Sequence, residues 1–261
     1  MIIKKQMTNR WKDKRAQITI FIIIALIIVV AIALIFVVWR KPTISISPEE
    51  NPQAYIDSCV KDATKEAIGK VLEGGGRIEP ELYKLYQSEK YNYLCYQKNY
   101  YLTCINHYPM LKNIVEQEIT DYIEPEVRSC FSSLKEQLEK RNYKVIMGEG
   151  MEIITELQTR KVIVTAKKEL EMTKNQETKK ITQFKSQVLS SVYDLVMIAR
   201  EIVNQESQYC NFEYNGFMLL YPRYDIKRIS YDEDRIYNIL DRINNEEFKF
   251  AIRSCAFPPG L

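Results

Sequence analysis

The longest apolar stretch of the chain is an uncharged run of 21 residues from Ile18 to Val38, with Thr19 its only polar side chain. As a helix rising 1.5 Å per residue it covers roughly 31 Å, the thickness of a bilayer's hydrocarbon core. Pro42, Pro48 and Pro52 then punctuate a linker at 40–53. From Ala54 to Glu73 the apolar positions Ile56, Cys59/Val60, Ala63, Ala67 and Val71 recur every three or four residues, which predicts an amphipathic helix ended by Gly74-Gly75-Gly76. Residues 91–105, rich in Tyr, Leu and Thr, predict a hairpin. A second helical stripe occupies 110–140 through Leu111, Val115, Ile119, Ile123, Val127, Cys130/Phe131, Leu134 and Leu138. Pro125 within it predicts a kink or a closely spaced helix pair.

After Tyr143 the period shortens to two. Strands are predicted at 151–157, 161–166, 169–173 and 179–184, a meander turning at residues 174–177. Helical spacing returns over Phe184–Gln205, and strands again at 216–221, 224–230, 235–240 and 248–254. The pattern predicts an α+β protein: a single transmembrane helix, then a domain of helices and antiparallel sheet. Its parts are a tail (1–17), a span (18–39), the linker (40–53) and a domain (54–261). The domain is mainly helical with a hairpin over 54–142, and mainly antiparallel β with one helix over 143–261.

Charge sets the direction of the span. Lys4, Lys5, Arg10, Lys12, Lys14 and Arg15 precede it against the single acid Asp13, while only Arg40 and Lys41 follow closely. The positive-inside rule puts the tail in the cytoplasm and the domain outside, in the cell envelope. Trp11 and Trp39 flank the run, as interfacial aromatics do. A cleaved secretory signal competes with this reading, but its apolar region would be shorter and would end in small residues. The first 41 residues hold 8 of the 37 basic and 1 of the 34 acidic side chains, so 29 basic and 33 acidic remain, a net of −4. That balance offers no basic footprint for nucleic acid.

All six cysteines follow the span. An even count in an exported domain predicts a disulfide framework with fifteen possible connectivities. Cys95 and Cys104 would face each other across a hairpin turning at Asn99-Tyr100. Cys59 and Cys130 both lie on the apolar stripes of helices that must pack together, which predicts a second bridge. Cys210 and Cys255 then pair by elimination. No Cys-x-x-Cys occurs and His107 is the only histidine, so neither a metal site nor a redox motif is expected, and no cofactor.

Catalytic chemistry finds no foothold. His107 precedes Pro109 with no nucleophile signature nearby, and reads as a turn residue. The acid pairs Glu116/Glu118, Glu124/Glu126, Asp232/Glu233/Asp234 and Glu246/Glu247 read as solvated faces; an exported hydrolase would rest on them alone. Gly74-Gly75-Gly76 lacks the Lys-Ser/Thr of a phosphate loop. Tyr91, Tyr93, Tyr96, Tyr100 and Tyr101 carry two readings, a cross-strand aromatic ladder or an exposed interaction surface for protein or surface polymer.

Lys14-Arg15-Ala16-Gln17-Ile18-Thr19 resembles the class III signal of archaeal type IV pilin-like proteins. The resemblance implies cleavage between Ala16 and Gln17, although Phe21 stands where that family places Glu. The span start, Tyr55-Ile56-Asp57-Ser58-Cys59, Gly74-Gly75-Gly76 and Phe248-Lys249-Phe250-Ala251-Ile252-Arg253 together resemble single-span envelope proteins of small-genome archaea of the Woesearchaeota and Pacearchaeota type. That resemblance implies an envelope location and no activity. The expectation is a non-enzymatic, membrane-anchored structural or adhesive protein, with a processed filament subunit as the alternative.

Overall fold

The computed structural model describes residues 23–30 and 51–258. The chain divides into two compact units, Met1–Ser45 and Ile46–Leu261. Residues 23–30 of the first are helical. The remainder of the expected span, Ala16 and Gln17, and the linker up to residue 50 lie outside the described residues. Among the described residues no helix is long and apolar enough to cross a membrane.

The second unit is α+β and holds three disulfides, Cys59–Cys130, Cys95–Cys104 and Cys210–Cys255. Helix α1 (Pro52–Glu73) starts with Pro at its first position and with the Asn51 side chain accepting from the Ala54 N–H at 3.0 Å. Helix α2 (Leu111–Lys140) runs antiparallel to it. Contacts from Gln137 Nε2 to Tyr55 Oη (2.8 Å) and from Tyr122 Oη to Glu66 Oε1 (2.5 Å) bracket the Cys59–Cys130 bridge. The helix continues through Pro125 as one element, so no helix pair forms. One proline forfeits one backbone bond, and the stripe from Leu111 to Leu138 stays buried on both sides of it.

Strands β1 (Tyr83–Tyr86), β2 (Glu89–Tyr96) and β3 (Ile105–Asn106) lie between these helices in sequence. Strands β4 (Lys144–Met147), β5 (Glu152–Gln158), β6 (Lys161–Lys174) and β7 (Glu177–Leu189) form an antiparallel sheet in which β5, β6 and β7 are the meander and β4 pairs with β6. The strands expected at 161–166 and 169–173 are one, β6, with a register shift between Lys167 and Leu170. Its reverse turn falls at Asn175-Gln176, both at positive φ. Helix α3 (Val192–Tyr209) and the short helix α4 (Tyr214–Leu220) precede β8 (Tyr224–Tyr231), β9 (Asp234–Asp241) and β10 (Glu246–Arg253). These last three strands join β2 in a six-stranded mixed sheet of order β1-β2-β10-β9-β8, with β3 also on β2. The β2–β10 pairing is parallel, Tyr93 opposite Ala251 and Tyr96 opposite Arg253. The two expected sub-regions therefore share a sheet, and one contiguous core unites α1, α2, α3 and both sheets.

Other local expectations change as well. Phe184–Leu189 is strand, not helix: buried Phe184, Ser186 and Val188 alternate with exposed Lys185, Gln187 and Leu189 along β6. Phe184 and Val188 satisfy a period of two as well as a spacing of four, so the apolar positions alone did not decide. Residues 216–221 are not strand but largely α4, whose backbone is satisfied locally by Phe217 N–H to Glu213 C=O and Tyr221 N–H to Phe217 C=O. Cys104 does not oppose Cys95: Asn106 does, and Cys104 reaches the bridge from the end of an eight-residue loop.

The glycine triplet is a packing seam. Gly75 (φ +61°) has its open face 2.7 Å from Lys249 O and 3.0 Å from Asn92 Cβ, and Gly76 (φ +90°) stands 2.8 Å from Leu111 Cδ1, measured from where a Cβ would sit. Only glycine lets the end of α1 press onto β2, β10 and α2 at once.

Candidate functional site

Tyrosines cover the face of the six-stranded sheet turned away from the main core, where Tyr91 (4% exposed), Tyr93 (6%), Ile236 and Ala251 form a second cluster flanked by Tyr86, Tyr96 and Ile229. Ring pairs Tyr86–Tyr231 and Tyr93–Tyr96 both meet edge-on at 4.9 Å between centroids. Tyr91 and Tyr93 are thus ladder residues and cannot serve as an interaction surface. Burial pushes the phenols of Tyr91 and Tyr93 up, and the neighbouring carboxylates Glu89 and Asp234 add to it. Tyr96 is half-buried, with its ring 5.9 Å from the Arg253 guanidinium.

Tyr100 and Tyr101 behave differently. They sit on the loop 97–104 with Leu102, and Ile105 follows; all four side chains are exposed, Tyr101 at 56%. Phe257, 64% exposed, meets Tyr101 edge-on at 5.5 Å. The loop is held hard against the C-terminal segment. Gln97 N–H donates to Arg253 C=O (2.9 Å), Tyr101 N–H to Ala256 C=O (3.0 Å), Cys255 N–H to Leu102 C=O (2.7 Å) and Cys104 N–H to Ser254 Oγ (3.1 Å). Cys95–Cys104 closes the loop, and Cys210–Cys255 ties the segment beneath it to the end of α3. The Arg253 guanidinium fills the loop's interior, donating to the carbonyls of Gln97 and Lys98 beneath the Tyr100 ring. Beside the loop a cleft of about 220 Å³ is lined by Ser230, Asp232, Glu233, Asp234, Arg235 and Phe257 among others. Such a patch can bind by apolar contact from a pre-ordered backbone, with carboxylates at its margin to accept hydrogen bonds.

The opposite end of the same strands carries a polar cluster of which the sequence marked only Glu246, read there as part of a solvated face. Asp241, fully buried, accepts from Arg223 Nε (3.0 Å to Oδ1) and Nη2 (2.5 Å to Oδ2), from the Ser191 hydroxyl and from the Ile243 N–H (2.9 Å). Asn244 Nδ2 donates to Ser191 Oγ at 2.7 Å, and Glu246 accepts from the Ser191 N–H (2.5 Å) and Ser190 Oγ (3.1 Å) at the start of α3. Burial pushes the Asp241 carboxyl up, but the Arg223, Ser191 and Ile243 donors outweigh it and hold it at about 2. Asp194, one turn into α3, is pushed upward by burial and by the Asp241 charge against the pull of Arg223, and its Oδ2 is buried without a hydrogen bond. Ser191-Val-Tyr-Asp194 has the spacing of a capping box, the one signal that could have marked this place. Its serine turns to Asp241 instead of capping α3.

The remaining candidates have structural employment. Glu116 binds Lys112 and the Leu157 N–H, and Glu118 binds Arg77 and the Ile78 N–H, so both fasten α2 to neighbouring segments. Glu124 pairs with Arg128 along the same helix, and Glu247 with Lys249. Exposed His107 stacks edge-on to Tyr96 at 6.3 Å. Cys59, Cys130 and Glu126 bring three potential metal-ligand atoms within 4.8 Å, but the two sulfurs are joined to each other and offer no thiolate. No protein-family model, curated protein or solved structure matches this chain.

Proposed function

We propose that this chain is a single-pass, membrane-anchored, extracytoplasmic interaction protein of the cell envelope that presents the loop 97–105 and Phe257 to a protein or surface polymer. The observation that carries the reading is the coincidence of exposed Tyr100, Tyr101, Leu102, Ile105 and Phe257 with two disulfides and four bonds that hold their backbone rigid. Exposed apolar side chains weaken solubility and favour association, so a chain that orders them so firmly gains when a partner covers them. The bridges fit an oxidising compartment, and the 21-residue apolar run with its basic flank supports an anchor with the domain outside.

The test is capture from native envelopes by the full chain, compared with a Tyr101→Ser/Phe257→Ser variant. A partner retained by the wild type and lost by the variant supports the reading; equal capture by both removes this loop as the binding surface. The rival reading, a filament subunit, draws support from Arg15-Ala16-Gln17. Mass spectrometry that finds Gln17 as the mature N-terminus would favour it, and an intact Met1 would remove it.

A further inference from the structure

The end of the domain built around Asp241 carries a second apolar surface. Three segments converge there: the β7–α3 junction through Ser190 and Ser191, the α4–β8 junction through Arg223, and the β9–β10 turn through Asp241 and Asn244. Each segment exposes apolar side chains beside its buried polar anchor. They are Leu189, then Leu219 (85% exposed), Leu220 and Tyr221, and finally Ile243 (71%). The Arg242 guanidinium binds Pro222 C=O at 3.1 Å, which ties two of these segments directly.

Two arginines are exposed at this end, Arg160, whose carbonyl accepts from the Ser190 N–H, and Arg242. The acids turn inward: Asp241 is fully buried, Asp194 is half-buried, and Glu246 is bound to Ser190 and Ser191. Asp225 is paired with Arg242 at 3.1 Å, and Glu247, level with it on β10, with Lys249 at 3.8 Å. Exposed leucine, isoleucine and tyrosine beside two arginines suit a surface that beds into lipid headgroups.

The chain also enters the domain on this side. At the start of α1, Gln53 Nε2 donates to Lys185 C=O at 2.6 Å, four residues before Leu189 on β7. Residues 39–51 separate the apolar run from α1, a tether of no more than about 45 Å.

We infer that the surface formed by Leu189, Leu219, Leu220, Tyr221 and Ile243, with Arg160 and Arg242, rests on the lipid bilayer to which the chain is anchored. This rests on the anchor reading above. The bilayer then leaves the aromatic loop, at the far end of β9 and β10, facing away from the lipid. An interfacial seat lets aliphatic side chains leave water while the arginines meet anionic headgroups.

The full chain, with Trp11→Phe and Trp39→Phe, is reconstituted into phosphatidylcholine–phosphatidylglycerol vesicles whose acyl chains carry bromine. One reporter is Ile243→Trp and the other Phe257→Trp. The expected result is bromine quenching at least about threefold stronger at position 243 than at 257, with blue-shifted emission at 243 alone. Equal quenching at both positions, or none at either, in a chain that resists alkaline carbonate extraction overturns the lipid seat and leaves the anchor standing. Release by carbonate sinks the anchor and this inference with it. A blue shift at 243 that bromine does not quench, and that fades as protein is diluted in lipid, assigns the surface to a second copy and overturns the inference.

Discussion

The two ends of β9 solve the same problem with different chemistry. At the Asp234 end, exposed aromatics ride on a loop pinned by covalent bridges and main-chain hydrogen bonds. At the Asp241 end, roughly 23 Å away along the strand, exposed aliphatics ride on turns held by a buried charge and its donors. Disulfides act on the unfolded chain and are indifferent to pH, whereas an ion pair with a buried carboxylate holds only while that carboxylate is charged. The first end should therefore fail in reductant and the second in acid.

The largest effect expected is on the aromatic end. Replacing Cys210 and Cys255 together by Ala should cost about 4 kcal/mol on the chain-entropy estimate, read as a fall in the urea midpoint. The same variant should raise amide exchange over 97–105 and 253–257 while leaving 241–246 protected. Matching loss at both ends would erase the distinction.

Arg223→Ala strikes the other end by stranding the Asp241 carboxylate. The expected cost is about 3 kcal/mol, at the lower limit for breaking a buried pair because the arginine is itself partly exposed. Exchange should then rise at 189–192 and 241–246 and not at the loop.

Acidification tests the pair without mutation. Asp241 titrates near 2 in the folded chain against an ordinary 3.8, so its contribution is complete above about pH 4 and lost as pH falls towards 2. Its size is about 2 kcal/mol. A denaturation series from pH 6 to pH 2 should show this loss in the wild type, and an Asp241→Asn variant should lack it.

Asp194 has the opposite sign. Its raised value means that the charged form weighs against folding at neutral pH and that acid relieves it. Asp194→Asn, which keeps an acceptor for the Arg160 backbone, should raise stability at pH 7, read as a higher urea midpoint. Any loss of stability would place a needed charge there. Smallest of all is the stability effect of Tyr101→Ser with Phe257→Ser, within about 0.5 kcal/mol for such exposed positions. Partner capture by the same variant should weaken by roughly tenfold or more.

Much of the helical half was legible because α1 and α2 are amphipathic over about six and eight turns, and a stripe that long admits only one period. The same stripes put Cys59 and Cys130 on facing surfaces. Short segments were not legible. Phe184 to Leu189 fits two periods, and 216–221 is an apolar run too brief to separate a strand from a helix turn. Among the tyrosines nothing local distinguished Tyr93 from Tyr101. Tyr93 is buried because β10, 158 residues later, lies parallel beside it, and Tyr101 is exposed because its loop ends the sheet.

The sequence by itself determined periodicity, charge asymmetry and the even set of cysteines, since these depend only on neighbours and totals. From them follow the expected span, the α+β class and the long helices. The tertiary structure decided which aromatics are free, which end of the sheet is locked by sulfur, and which by charge. Asp241, Arg223 and Ser191 lie 18 to 50 residues apart and have no common local signal. A buried carboxylate's character is set by the donors that reach it, and only the completed fold brings them within 3 Å.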